Sequence, residues 1–119
     1  MSLVLKGFVH DLVTSCPWLL PTLREHLDDQ EGELLPHLFM ADVERWAEAQ
    51  FDMATPASRS RLSAVLEFLE GEFAGQGDSE VADLIFVSFL EHLPRAPSSG
   101  AGLRSIVGPA CQRALAVIG

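Results

Sequence analysis

The chain has 119 residues, 48% of them apolar, enough for a single folded domain over 1–119 with its own core and too apolar for a disordered segment. Seventeen acidic against eight basic side chains leave a net charge of −9. That is the wrong sign for gripping phosphates or an anionic membrane, so neither nucleic acid nor a membrane is an expected partner.

The apolar opening is broken by Lys6, Gly7, His10 and Asp11, and no small-residue cleavage site comes after it. No apolar run approaches the roughly 20 residues that a membrane helix needs. Cys16 and Cys111, which read as reduced thiols, make the cytoplasm the expected compartment. Leu5, Phe8, Val9 and Leu12 recur at helical spacing and predict an amphipathic helix over Leu3 to Thr14. Ser15 is placed to cap the next helix, with Pro17 in its first turn, where a missing N–H does no harm. That helix carries Trp18, Leu19, Leu23 and Leu27, and Pro21 distorts its start. It runs into an acidic loop, Asp28-Asp29-Gln30-Glu31-Gly32-Glu33.

A third helix begins after Pro36 with a stripe of Phe39, Val43, Trp46 and Gln50, leaving Asp42, Glu44, Arg45 and Glu48 largely off it. Thr55-Pro56 marks a stop and a fresh cap. Leu62, Val65, Leu66, Leu69 and Phe73 then give a fourth helix, with Glu67 and Glu70 turned outward, ending at Gly75-Gln76-Gly77. The run Ile85 to Leu90 has the composition of a buried strand. Its setting between a cap at Asp78 and Pro94 favours a helix that is apolar nearly all round, as in the centre of a bundle. Pro94 to Gly102 reads as the loosest loop. A short turn at Leu103 to Val107 and a last helix from Pro109, packing Cys111, Leu115 and Ile118, close the chain. The fold class is all-α: a compact bundle of about six short helices, whose successive pairs are also able to stack.

Little in the sequence suggests catalysis. No glycine-rich phosphate loop and no Gly-x-Ser-x-Gly occurs. His10, His26, His37 and His92 are isolated and read as helix-surface or boundary residues, the second and fourth near helix C-termini. No metal or cofactor is expected. Cys16 and Cys111 lie far apart and read as reduced, packed thiols. Asp28, Asp29, Glu31 and Glu33 depart from the spacing of a calcium loop. With Asp42, Glu44 and Glu48 they form the densest negative region of the chain. Asp42 and Arg45 stand at i, i+3 and are expected to pair, whereas Glu44 and Glu48 at i, i+4 are expected to repel.

The stretch Glu33 to Trp46, with its Leu34-Leu35-Pro36-His37-Leu38-Phe39 core and then Asp42 and Trp46, resembles a family of small bacterial all-helical proteins known only as a domain of unknown function. Asp83 to Pro94 is similar to that family's second block, and Leu103 to Leu115 to its closing helices. The resemblance implies a helical domain over nearly the whole chain and brings no catalytic residues. By analogy with small proteins encoded beside secreted toxins, it implies an immunity protein. In the matching block Trp46 is expected to anchor the core, and Asp42 is the polar residue most suspected of a role.

The reading that results is a binding protein and not an enzyme: a cytoplasmic immunity protein that neutralises a cognate toxin through Asp28, Asp29, Glu31, Glu33, Asp42, Glu44 and Glu48. Its partner would carry a basic surface, such as a nuclease toxin domain. The alternative is a structural or regulatory module that self-associates as a homodimer through leftover apolar surface, with Trp18, Phe51 and Phe86 as contributors.

Overall fold

In the computed structural model, residues 3–75 and 79–118 are described. All their regular structure is helical: α1 Leu3–Ser15, α2 Leu20–Asp29, α3 Pro36–Met53, α4 Pro56–Ala74, α5 Ser79–Ser88, α6 Leu103–Ile106 and α7 Pro109–Ile118. Three 3-10 turns, Pro17–Leu19, Leu90–His92 and Ser99–Gly102, sit between them. Helix α3 is the centre of the bundle. It packs most extensively on α5, α4 and α2, and it also meets α1 and the Ser99–Gly102 turn. The radius of gyration, 13.6 Å, is that of a well-packed single body, for which about 13.5 Å is expected at this length.

Each boundary has a local cause. Ser15 ends α1 and caps no further helix; the 3-10 turn starts after Cys16 with no side-chain cap. Pro17 and Pro21 divide the expected second helix into a 3-10 turn and α2, and Pro21 lies in the first two positions of α2, where its ring is tolerated. Thr55 caps α4 as its sequence suggests. Its hydroxyl accepts from Ser58 N (3.1 Å) while the Ser58 hydroxyl accepts from Thr55 N (2.9 Å), a reciprocal box that satisfies two amides. The Ile85 to Leu90 run is helical and then 3-10, with Leu84, Ile85, Phe89 and Leu90 fully buried, so its apolar surroundings and not its strand-like composition decide. Gln76, Gly77 and Asp78, which carry the expected stop and cap before α5, lie outside the described residues, as does the Ile118 side chain.

The core gathers Phe8, Val9 and Leu12 of α1 with Phe39, Met40, Val43 and Ala47 of α3 and Leu62, Val65 and Leu69 of α4. Phe8 and Phe68 meet as a tilted ring pair at 5.9 Å. Both cysteines are free and buried, as expected of packed thiols. Several expectations need correction. Trp18, Phe51 and Phe86 are half-buried, with part of each packed against the core. Phe51 lies so close to Gly102 that a β-carbon there would enter its ring, and a β-carbon on Gly100 would meet Pro94 at 2.8 Å. The expected loose loop is therefore held against α3. Glu70 turns towards α7 instead of solvent. Its two oxygens accept from Ala110 N (2.9 Å) and Cys111 N (3.1 Å), the free amides that open α7.

No single helix among the described residues is long and apolar enough to cross a membrane. The α1 and Pro17–Asp29 segments pass that test only as a pair bent by 112°, and their apolar side chains Phe8, Val9, Leu12 and Leu19 are buried in the core.

Candidate functional site

The acidic loop predicted between the second and third helices is a tight, specified turn. Gly32 N donates to Leu27 O (2.7 Å) and Glu33 N to Gln30 O (3.0 Å), closing the C-terminus of α2. Glu31 and Gly32 both take left-handed conformations, at φ 55° and 84°. Glycine does so freely, while Glu31 does so at some cost that the turn's hydrogen bonds offset.

The turn is pinned from inside by His26, which is 1% exposed. This corrects the expectation of a surface histidine. Leu35 N donates to its Nε2 (3.1 Å), so the neutral ring carries its proton on Nδ1. That nitrogen faces Asp42 Oδ2 at 3.5 Å, and the ring stands edge-on to Phe39 with centroids 5.8 Å apart. One imidazole thereby links the last turn of α2, the start of α3 and the carboxylate of Asp42. Asp42 also pairs with Arg45 one turn along, as the i, i+3 spacing predicts.

Around this pair a groove of about 370 Å³ opens between α2 and α3, lined by Thr22, Glu25, Asp29, Asp42, Arg45 and Trp46. Three carboxylates face one guanidinium. Beside it Asp28, Glu31 and Glu33 are exposed on the turn. The arrangement can attract cationic groups of a partner, and the indole of Trp46 offers an apolar wall to a cationic stem.

The seven acidic residues singled out in the sequence separate into two groups. Asp28, Asp29, Glu31, Glu33 and the partly exposed Asp42 are arranged around the α2–α3 turn. Glu44 is not at this surface: it is 3% exposed, between Met40 and Ala47 on the buried side of α3. Burial, then the hydrogen bond and charge of Glu48, push its carboxyl up to about 8, against a smaller lowering by Arg45. The expected repulsion at i, i+4 is relieved by a proton held between the two side chains. Glu48 is half-buried, its Oε1 near Gly100 (3.6 Å from where a β-carbon would stand). Neither residue contributes to an acidic surface in the way the sequence suggests.

His26, Thr22 and Glu25 were missed. A signal existed for His26, which comes seven residues after Leu19 and three after Leu23 and so continues the apolar stripe of its helix. Elsewhere His37 Nδ1 and Ser88 Oγ lie 2.6 Å apart, joining the start of α3 to the end of α5. Ser88 is 4% exposed, so this bond ties two helices and presents no accessible nucleophile. Among the described residues no three His, Cys, Asp or Glu side chains converge as metal ligands would.

Fold and site together define a small all-helical domain with a pinned acidic turn beside a charged groove. The chain belongs to the DUF7674 family, a domain of unknown function whose model matches residues 9–116. Comparison with curated proteins and with solved structures gave no match.

Proposed function

We propose that the chain is a binding protein that presents its α2–α3 turn to a basic protein partner, and that it acts as a cytoplasmic immunity protein that neutralises a bacterial toxin. The observation that carries this reading is the pinned turn. Asp28, Asp29, Glu31 and Glu33 stand exposed on a backbone fixed by His26 and by two left-handed residues. Charges held on a rigid turn lose little freedom when a partner arrives, and complementary charge speeds encounter and selects the partner. The groove behind the turn, with Trp46 and Asp42, would receive a side chain from that partner and supply the desolvated centre that rim charges lack. A toxin that grips phosphates offers a basic face of the matching sign.

The test is capture of partners from the native cell extract by the tagged protein at low and moderate salt, with mass identification. A stoichiometric basic partner is expected, lost when Asp28, Asp29 and Glu31 are reversed to Lys and weakened as salt rises. A partner retained unchanged by the reversed protein would overturn the charge-driven reading. So would recovery of the protein alone.

A further inference from the structure

Helix α4 carries a second surface. Arg59, Ser63 and Glu67 succeed one another at four-residue intervals and all three are exposed. Ser63 and Ile106 are shared by two grooves that lie end to end between α4 and the α6–α7 segment. One, of about 460 Å³, also has Phe51, Leu62 and Arg59 in its walls. The other, of about 400 Å³, has Leu66, Glu67 and Pro109. The lining is apolar at the centre, with Arg59 towards one end and Glu67 towards the other. Ile106 is 47% exposed, and Met53, next to the groove-lining Ala54, is 59% exposed. A soluble domain has little reason to leave a continuous apolar channel edged by large exposed side chains unless something covers it.

The charges say what fits. Arg59 and Glu67 are eight residues apart, about 12 Å along the helix, too far to neutralise each other within one chain. Among the described residues neither takes part in an ion pair. Ser63 stands midway between them, and its small side chain permits close approach. A helix with a cation and an anion placed symmetrically about a small residue is complementary to itself when reversed. If a second α4 runs antiparallel across a twofold axis at Ser63, Arg59 of each copy meets Glu67 of the other, while Ile106 of both flanks the axis. We propose that this α4–α6 channel is the interface of a homodimer with its twofold axis at Ser63. The surface is distinct from the acidic turn, and the inference stands whether or not the toxin-binding reading does.

The experiment is sedimentation velocity on the full chain from low to high micromolar concentration, with four variants: Arg59→Glu, Glu67→Arg, the double swap carrying both, and Ser63→Arg. All three positions are exposed, and helical circular dichroism verifies that each variant folds. The wild type is expected at twice 13.0 kDa. Each single reversal turns two attractions into two repulsions and should weaken dimerisation about tenfold or more; the double swap should restore it. Ser63→Arg should give a monomer by placing two like charges on the axis. A wild type that stays monomeric throughout overturns the proposal. A dimer indifferent to the single reversals, or one that the double swap fails to rescue, places the interface elsewhere and overturns it equally. Reversal of Asp28, Asp29 and Glu31 should leave the dimer intact, which separates this test from that of the acidic turn.

Discussion

Glu44 offers the sharpest test of how this core is built. Its carboxyl sits at 3% exposure in the middle of α3, and among the described residues Oε2 has no hydrogen-bond partner. It titrates at about 8 in the fold against an ordinary 4.5. Because the folded value is raised, the protonated side chain supports the fold fully below pH 4.5, and that contribution is lost as pH rises through 8. One proton is involved, so the slope is at most about 1.4 kcal/mol per pH unit, and the loss between pH 5 and pH 9 is on the order of 2–4 kcal/mol. Glu44→Gln removes the titration while keeping the shape, and the new amide N–H can donate to Glu48 at every pH. Urea denaturation at pH 5, 7 and 9 reads the difference. At pH 5 the two proteins should be within about 1 kcal/mol of each other, and at pH 9 the variant should be the more stable by a few kcal/mol. Parallel stability profiles across that range would show that Glu44 is not a buried acid, and the account of the Glu44–Glu48 proton would fail.

Two further outcomes concern the C-terminal helix. Gly108→Ala should cost on the order of 2 kcal/mol in thermal or chemical unfolding, because its β-carbon would occupy the position of the Glu70 side chain and dislodge the carboxylate that caps α7. Burial alone would raise the Glu70 pKa, but the backbone bonds from Ala110 and Cys111, the Cys111 thiol and the charge of Arg113 outweigh it and hold it below the usual carboxylate range. A depressed value means stability that is present above the ordinary pKa and is lost as pH falls, so Glu70→Gln should flatten the acid limb of the stability profile. Burial, then the hydrogen bond and charge of Glu70, push the Cys111 thiol up to about 12, and burial raises Cys16 as well. Neither should react with a disulfide reagent at pH 8 until the protein is unfolded, when both should; rapid labelling of the native protein would contradict the packing.

How far the sequence could be read depended on what each residue had to satisfy. Helix starts were legible where the signal was local, as at Thr55-Pro56, and the helical state of the apolar α5 was legible from its setting, although the α-helix gives way to a 3-10 turn after Ser88. On α3 charge is a poor guide to exposure, since Glu44 is an acid on the buried face. The buried side runs through Met40, Glu44 and Ala47 as well as Phe39 and Val43, a wider arc than the stripe of Phe39, Val43, Trp46 and Gln50, which is the mark of a helix covered by neighbours on several sides. Glu70 was misread for a related reason. Its partner amides lie 40 and 41 residues away, and no local pattern reports a contact of that span. The acidic turn was legible as charge, but not the histidine that fixes it, since His26 owes its role to Leu35 N and Asp42 arriving from the next helix.

The carboxylate of Glu70 bears on what the molecule can attract. The first amides of a helix form a natural seat for phosphate or sulfate. In α7 that seat is taken by the protein's own anion, delivered from α4 and sheltered by the absence of a side chain at Gly108. At α4 the corresponding amide is engaged by the hydroxyl of Thr55. With those two seats filled from within, their donors are closed to free anions, while carboxylates remain uncovered at the α2–α3 turn. The molecule is, in this respect, biased towards receiving positive charge.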